Sequence, residues 1–377
     1  MKSVGLMTVV DRNYGSMLQA YALQQSICEL GYSPVIINNI KYHKKRDVLP
    51  SWKSRLKRAI KRILASKNKD IFHKRNTLYQ QFVDKHLILT SRKYYHIDDL
   101  SKTGNDFDAF VAGSDQIWNP LIWHYNEPEV YFLTFAPLQK RISYAASFGI
   151  TEIPCEYKNR MAEFLNDMAY ISVREKHAVK TVFDLTGRTV PHVLDPTLLL
   201  DAQDWKAIAN TGCCPRTEYI LCYFLENETY MREYVSQLAK SSGYPIVMIP
   251  RTFMDCINQE HEVLLDIGPS EFLGLISQAA LVCTDSFHGT AFSINFGVPF
   301  FSFRRMEKKH TSLTYSRISS ILQLFDLADR EVIYGDEVND ADIDNLDFPL
   351  IQEKLERQRF ISLTYLKETL ENVTKGE

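Results

Sequence analysis

A histidine flanked by hydroxyls and a glycine, Thr284-Asp285-Ser286-Phe287-His288-Gly289-Thr290, stands where an apolar run at 281–283 gives way to a helical pattern. In a parallel α/β sheet, ligands bind outside the carboxyl ends of the strands. The helix that follows offers free N–H groups and a positive dipole end to an anion. His288 can therefore meet a phosphate, Gly289 lets backbone approach a ligand closely, and Asp285 or Ser286 can cap the helix. The competing use of these residues is capping alone, with His288 bonded to a nearby loop. The glycine and the two hydroxyls at this strand end favour the ligand.

Strands alternating with helices must position that turn. The run 4–10 predicts a first strand, followed by a polar turn, Asp11-Arg12-Asn13-Tyr14-Gly15, and a capping box at Ser16-x-x-Gln19. An apolar helical stripe then runs to Leu30, Gly31 stops it, and 34–37 starts another strand. Strands are expected at 107–112, 142–146 and 170–173, with a helix around 161–168. A second series holds strands at 219–224, 246–249, 281–284 and 299–303, with helices at 230–241, 270–280 and 290–296. Such alternation predicts parallel, doubly wound sheets. The stretch 185–205, with Pro191 and Asp195-Pro196, suits a hinge. The expected layout is an α/β domain at 1–190 with a basic helical insertion at about 41–75, a second α/β domain at 191–349, and a terminal helix at 350–377 that crosses back to the first domain.

At 377 residues the chain exceeds what one hydrophobic core serves, and its 45% apolar and 24% charged residues are ordinary globular values. The start, MKSVGLMTVVDRNYG, meets Asp11 and Arg12 too early for a membrane span and lacks a signal cleavage site, so a cytoplasmic location is expected. Seven scattered cysteines, with no C-x-x-C pair, read as reduced thiols, and no metal site is expected.

Five segments, NYGSMLQAYALQQ, FDAFVAGSDQIWN, ISVRE, VLDPTLLL and CTDSFHGTAFSINFGVPFFSF, lie in order from about residue 13 to 303. Together they resemble the polysaccharide pyruvyl transferases. The resemblance implies two Rossmann-like domains facing a cleft, similar to GT-B glycosyltransferases. It also implies transfer of pyruvate from phosphoenolpyruvate, a donor substrate and no further cofactor, to a sugar of a bacterial surface polysaccharide or its precursor, forming a ketal. The second domain would hold the donor and the first the acceptor.

On that reading His288 is the general acid and Arg174, in Ser-x-Arg-Glu, a clamp for the donor, because a planar guanidinium matches carboxylate and phosphate oxygens two at a time. Ser286, Phe287, Gly289 and Thr290 complete the donor side. Many family members carry arginine where this chain has Ser286, and Arg304, Arg305, Lys309 and Arg317, just beyond the next strand, are the candidates to supply the missing charge. Asp115, in Gly113-Ser114-Asp115-Gln116, is either the base for the sugar hydroxyl or a turn cap. Asn13, Tyr14, Gly15 and Ser16 are placed to hold sugar hydroxyls. Gln116 and Asn119 offer amides, and Trp118 an aromatic face, to the same sugar. Asp195-Pro196 belongs to the family pattern as well, although a turn beside the hinge accounts for it.

The charge is lopsided. Residues 41–75 hold 14 Lys and Arg against Asp47 and Asp70, while the whole chain carries −2. Within 52–64, Trp52, Leu56, Ala59, Ile60, Ile63 and Leu64 follow helical spacing among basic residues. This describes either a helix for an anionic membrane surface, apt if the acceptor is lipid-linked, or one packed on the first domain with a solvated basic face. Nucleic acid is disfavoured by the acidic remainder. Two rivals stay open: a GT-B-like glycosyltransferase using a nucleotide sugar, and a silent sugar- or anion-binding protein. The absence of a carboxylate in Ala291–Phe296 weighs against the first, and Ser286 makes the second a real option. A dinucleotide-dependent oxidoreductase ranks below both, since the first turn, Asn13-Tyr14-Gly15, lacks G-x-G-x-x-G.

Overall fold

A computed structural model of the protein describes residues 1–39, 72–125, 127–226, 228–256, 261–306, 316–338, 343 and 345–375. The basic stretch 52–64 and Lys309 lie outside these. Two all-parallel sheets carry the fold. The first has the order β2-β1-β3-β4, from β1 (Ser3–Met7), β2 (Ser33–Ile36), β3 (Ala109–Ala112) and β4 (Arg141–Ser143). The second has the order β10-β9-β8-β5-β6-β7. Its strands are β5 (Ile220–Tyr223), β6 (Ile246–Met248), β7 (Glu262–Val263), β8 (Leu281–Thr284), β9 (Phe300–Phe303) and β10 (Glu331–Val332). Central strands such as β3, AFVA, and β8, LVCT, are buried along their whole length, as strands covered by helices on both faces must be. The expected strand at 170–173 is present only as single bridges, Ile142 to Tyr170 and Ala146 to Val173.

The helices of seven or more residues are α1 (Tyr14–Glu29), α2 (His73–His86), α3 (Cys155–Asn166), α4 (Lys176–Thr186), α5 (Ala202–Ile208), α6 (Thr229–Ser242), α7 (Pro269–Gln278), α8 (Phe287–Phe296), α9 (Ser316–Leu324) and α10 (Phe348–Lys375). Two begin earlier than their patterns suggest. The capping box expected at Ser16 and Gln19 does not form: Asn13 caps α1 by accepting from the Ser16 N–H, and Gln19 instead donates to Thr8 Oγ1 at 2.8 Å. Helix α8 starts at Phe287, capped by Ser286, so His288 and Gly289 lie inside its first turn. Apolar residues surround both helices, and with no polar stripe the 3.6-residue period cannot mark where they start.

In each sheet the strand order reverses between two central neighbours, β1 and β3 in the first, β5 and β8 in the second. These reversals leave crevices at the carboxyl edge, because the helices leave in opposite directions. The two crevices face each other. Tyr14 of α1 joins the domains: its ring stacks on Phe272 of α7 at 4.4 Å with an interplanar angle of 1°, and its hydroxyl donates to Ile267 O at 2.9 Å. Helix α10 also ties both halves. Arg359 donates to Leu198 O at 2.9 Å, Ser362 Oγ accepts from Leu194 N at 2.9 Å, and Tyr365 donates to Ser143 O at 3.3 Å in the first sheet.

Candidate active site

Four loops meet in the cleft, one after each strand flanking the two reversals: Asn13 after β1, Asp115 and Gln116 after β3, Leu225 after β5, and Asp285 to His288 after β8. With Arg305, Arg317 and Ile318 they line a cavity of about 180 Å³. The first turns of α1 and α8 both border it, so two positive dipole ends converge on one space. An anion is the natural occupant.

His288 sits in that first turn, 7% exposed. Its Nδ1 side rests on Gly15, where a built Cβ would fall 1.9 Å from Nδ1. Gly15 is helical with ordinary negative φ, and its lack of a side chain makes room for the imidazole. We expect Gly15→Ala to push the ring out of register. A displacement of this size at a reacting group typically costs about 10²-fold in rate, and thermal stability falls with it, because the added Cβ also meets Cγ at the base of the buried ring, 2.4 Å away. Equal activity of purified Gly15→Ala and wild type would refute it.

The other ring nitrogen, Nε2, is buried without a hydrogen-bond partner and lies 3.8 Å from Asp195 Oδ1. Burial lowers the His288 pKa from its ordinary value despite Asp195 and Asp115 nearby, so the ring is neutral at pH 7. Asp195 is the hub behind it. Its Oδ2 accepts from Arg174 at 2.7 Å and Ser114 Oγ at 2.8 Å, and its Oδ1 accepts from the N–H and hydroxyl of Thr197. Burial would raise its pKa, but His288, Arg174 and these donors prevail and hold it at about 2. Arg174 also binds Glu175 at 3.1 Å and packs over the Phe287 ring at 4.5 Å. It is enclosed behind that ring rather than on the cavity wall, with one nitrogen, Nη2, lacking a partner.

Positive charge reaches the cavity from elsewhere. Arg305 is fixed by Asp285, which it meets through Nε at 2.8 Å and through the Asp285 carbonyl at 3.0 Å. Asp285 also accepts from the N–H groups of Leu225 and Glu226 at 2.6 and 2.9 Å, so it anchors the β5 loop and caps nothing. Arg317 stands in the first turn of α9, where the helix dipole opposes a cation. Burial first, and then neighbouring Arg174, push its pKa down to about 10, and its Nε has no partner. A cation held in so unfavourable a place is poised for an anion.

Of the other sequence candidates, Ser286, Gln116 and Asp115 line the cavity, and the rest lie around it. Ser286 Oγ accepts from Gly289 N at 3.4 Å, and Thr290 Oγ1 contacts Ser302 Oγ at 2.6 Å, both supporting the turn. Arg304 pairs with Glu331 at the outer strands. Ser16 Oγ donates to Asn13 O at 3.2 Å. Trp118 is fully buried, stacked on Phe132 at 5.1 Å with its N–H on Tyr131 O, so it presents no face to a sugar. Tyr14 is spent on the domain seam. Asn119 donates to Gln116 Oε1 at 2.9 Å and so orients the Gln116 amide at the cavity edge. Asp115 has φ of 69°, a left-handed backbone rare for aspartate and held at a cavity wall. Asp195 and Asp285, read from the sequence as a turn residue and a helix cap, are the buried carboxylates that hold Arg174 and Arg305. An Asp-Pro inside an apolar run, VLDPTLLL, was the available signal for the first.

The described residues contain no helix long and apolar enough to cross a membrane and no cluster of three potential metal ligands. No curated protein matches the chain by sequence. Among solved structures, the UDP-GlcNAc 2-epimerase of Methanocaldococcus jannaschii overlays with a TM-score of 0.51 at 12% identity, covering 94% of this chain and 91% of that one. S. aureus MnaA, solved with UDP, gives 0.51 at 12% identity over 95% and 91%. Arabidopsis thaliana UGT89C1, solved with quercetin, gives 0.45 at 10% identity over 100% and 96%. At 12% identity the likeness to the first two is one of fold. The family model for polysaccharide pyruvyl transferase matches residues 13–305, from the cap of α1 to the cavity arginine Arg305, and the chain belongs to that family.

Proposed function

We propose that the protein transfers pyruvate from phosphoenolpyruvate to two hydroxyls of a sugar, forming a cyclic ketal. One observation carries this reading: a buried histidine backed by a carboxylate shares an anion-sized cavity with two arginines and two helix N-termini. Phosphoenolpyruvate brings a phosphate and a carboxylate. The N–H groups of the α8 turn, Arg305 and Arg317 suit these, and the two arginines supply the charge that Ser286 does not.

The reaction needs no oxidant and no water. A proton adds to the methylene carbon of the enol, one sugar hydroxyl bonds to the neighbouring carbon, and the C–O bond to phosphate breaks. The second hydroxyl then closes the ring. Two hydroxyl protons are released in all; one ends on carbon and one on phosphate. His288, with Asp195 Oδ1 3.8 Å from its Nε2, is the proton carrier. Asp115, across the cavity from α8, is the base for the hydroxyl, and Asn13 and Gln116 orient the sugar. Arg174 acts as a positioning residue through Asp195. The basic stretch 52–64 suits contact with an anionic membrane surface if the sugar is lipid-borne.

Calorimetry tests this directly. Phosphoenolpyruvate should bind the purified chain, and Arg317→Ala should weaken it about ten- to hundredfold, as loss of a charged hydrogen bond does. A protein that binds only nucleotide sugars, or an Arg317→Ala variant with unchanged affinity, would sink the reading.

A further inference from the structure

Beside the reaction cavity lies a second hollow of about 180 Å³, sharing Asn13 and Leu225 with it. Arg12, Arg75 and Arg251 line it, and among the described residues no aspartate or glutamate does. Arg75 is buried and donates to the carbonyls of Leu265, Pro250 and Leu264 at 2.9, 2.6 and 3.3 Å, while Arg251 donates to Leu225 O. Carbonyls fix these side chains without neutralising them. Among the described residues none of the three arginines makes an ion pair, so three like charges surround one space. Arg75 has used three of its five N–H groups, leaving two.

The geometry points to this hollow as the site for a phosphate or diphosphate borne by the acceptor sugar. This deepens the pyruvyl transfer reading and rests on it. A pyranose that presents its 4- and 6-hydroxyls to His288 and Asp115 directs its anomeric end away from them, and the adjoining space past Asn13 is the arginine hollow. A neutral glycoside gains nothing from three guanidiniums. A sugar diphosphate brings matching charge, and arginine meets phosphate oxygens two at a time. Both a nucleoside diphosphate and a polyprenyl diphosphate carry that group.

Calorimetry on the full chain saturated with phosphoenolpyruvate tests the assignment, with inorganic pyrophosphate, UDP and farnesyl diphosphate as probes. Pyrophosphate should still bind, and Arg12→Ala/Arg251→Ala should weaken it about ten- to hundredfold while phosphoenolpyruvate affinity stays unchanged. Both residues are exposed, so the fold survives their loss. A gain over pyrophosphate with UDP marks a nucleoside carrier, and a gain with farnesyl diphosphate marks a lipid carrier; either upholds the site. Competition between pyrophosphate and phosphoenolpyruvate for one site, or wild-type pyrophosphate binding by the double variant, overturns it. If phosphoenolpyruvate fails to bind while pyrophosphate binding still depends on Arg12 and Arg251, the donor assignment falls and the anion site stands.

Discussion

His288→Ala should lower pyruvyl transfer by about 10²–10⁴-fold, the usual worth of a positioned proton carrier, while the protein stays folded. The ring makes no hydrogen bond that the fold would lose. Asp195 keeps Arg174, Ser114 and Thr197 as partners. The same variant has a second signature. The buried ring is neutral in the free protein, with its pKa below the ordinary value of about 6.5. A phosphate dianion entering the cavity favours the imidazolium, so phosphoenolpyruvate should bind with uptake of a proton near neutral pH. Calorimetry in buffers of different ionisation enthalpy measures that uptake, and it should vanish in His288→Ala. Full activity in the folded variant would remove His288 from the chemistry.

Arg174→Ala should act mainly on stability. Asp195 and Glu175 are 2% and 1% exposed, and removing their shared cation leaves two buried carboxylates uncompensated. Breaking a buried pair from one side costs about 3–5 kcal/mol, a large share of the roughly 5–15 kcal/mol that holds a protein folded. The pH dependence identifies the cause. In the wild type Asp195 titrates at about 2, below its unfolded value. Its contribution is therefore complete above the unfolded pKa of about 4 and is lost as pH falls toward 2. Without Arg174 the carboxyl protonates at higher pH, so the gap between variant and wild type should narrow on acidification. His288 adds a separate acid sensitivity: below about pH 6.5 the unfolded chain takes up a proton that the buried ring resists. Urea titrations across pH measure both. A variant as stable as the wild type at pH 7 would show that the network bears no load. Because of this stability effect, Arg317 is the cleaner probe of donor binding.

The alternation of apolar runs with helical stripes made the two parallel sheets legible, since buried strands must be apolar throughout. The strand-to-helix turn at 284–290 was legible for the same reason, and Ser286 caps the helix there as its hydroxyl allows. Asp195 was not, because its importance lies in contacts with Arg174 and Ser114, 21 and 81 residues away, which no local pattern encodes. Trp118 misled in the opposite sense. Beside Gln116 and Asn119 it looks like a sugar platform, yet packing against Phe132 and Phe148 takes its whole surface. Gly15 is legible only with hindsight, since the ring that needs its empty space arrives from the other sheet.

Helix α10 bears on how the protein is made. Its Arg359 and Ser362 satisfy backbone groups at 194, 198 and 200, and its Tyr365 reaches the first sheet, yet it leaves the ribosome after both sheets. Until it docks, those groups have no partner and the halves are joined only through seams such as Tyr14 on Phe272. The nascent chain can thus fold each sheet as it emerges, but the contacts that α10 makes to both halves form only once residues 348–375 have followed. A chain cut before residue 348 would keep the strands of both sheets and lose the hydrogen bonds that α10 makes to residues 143, 194 and 198.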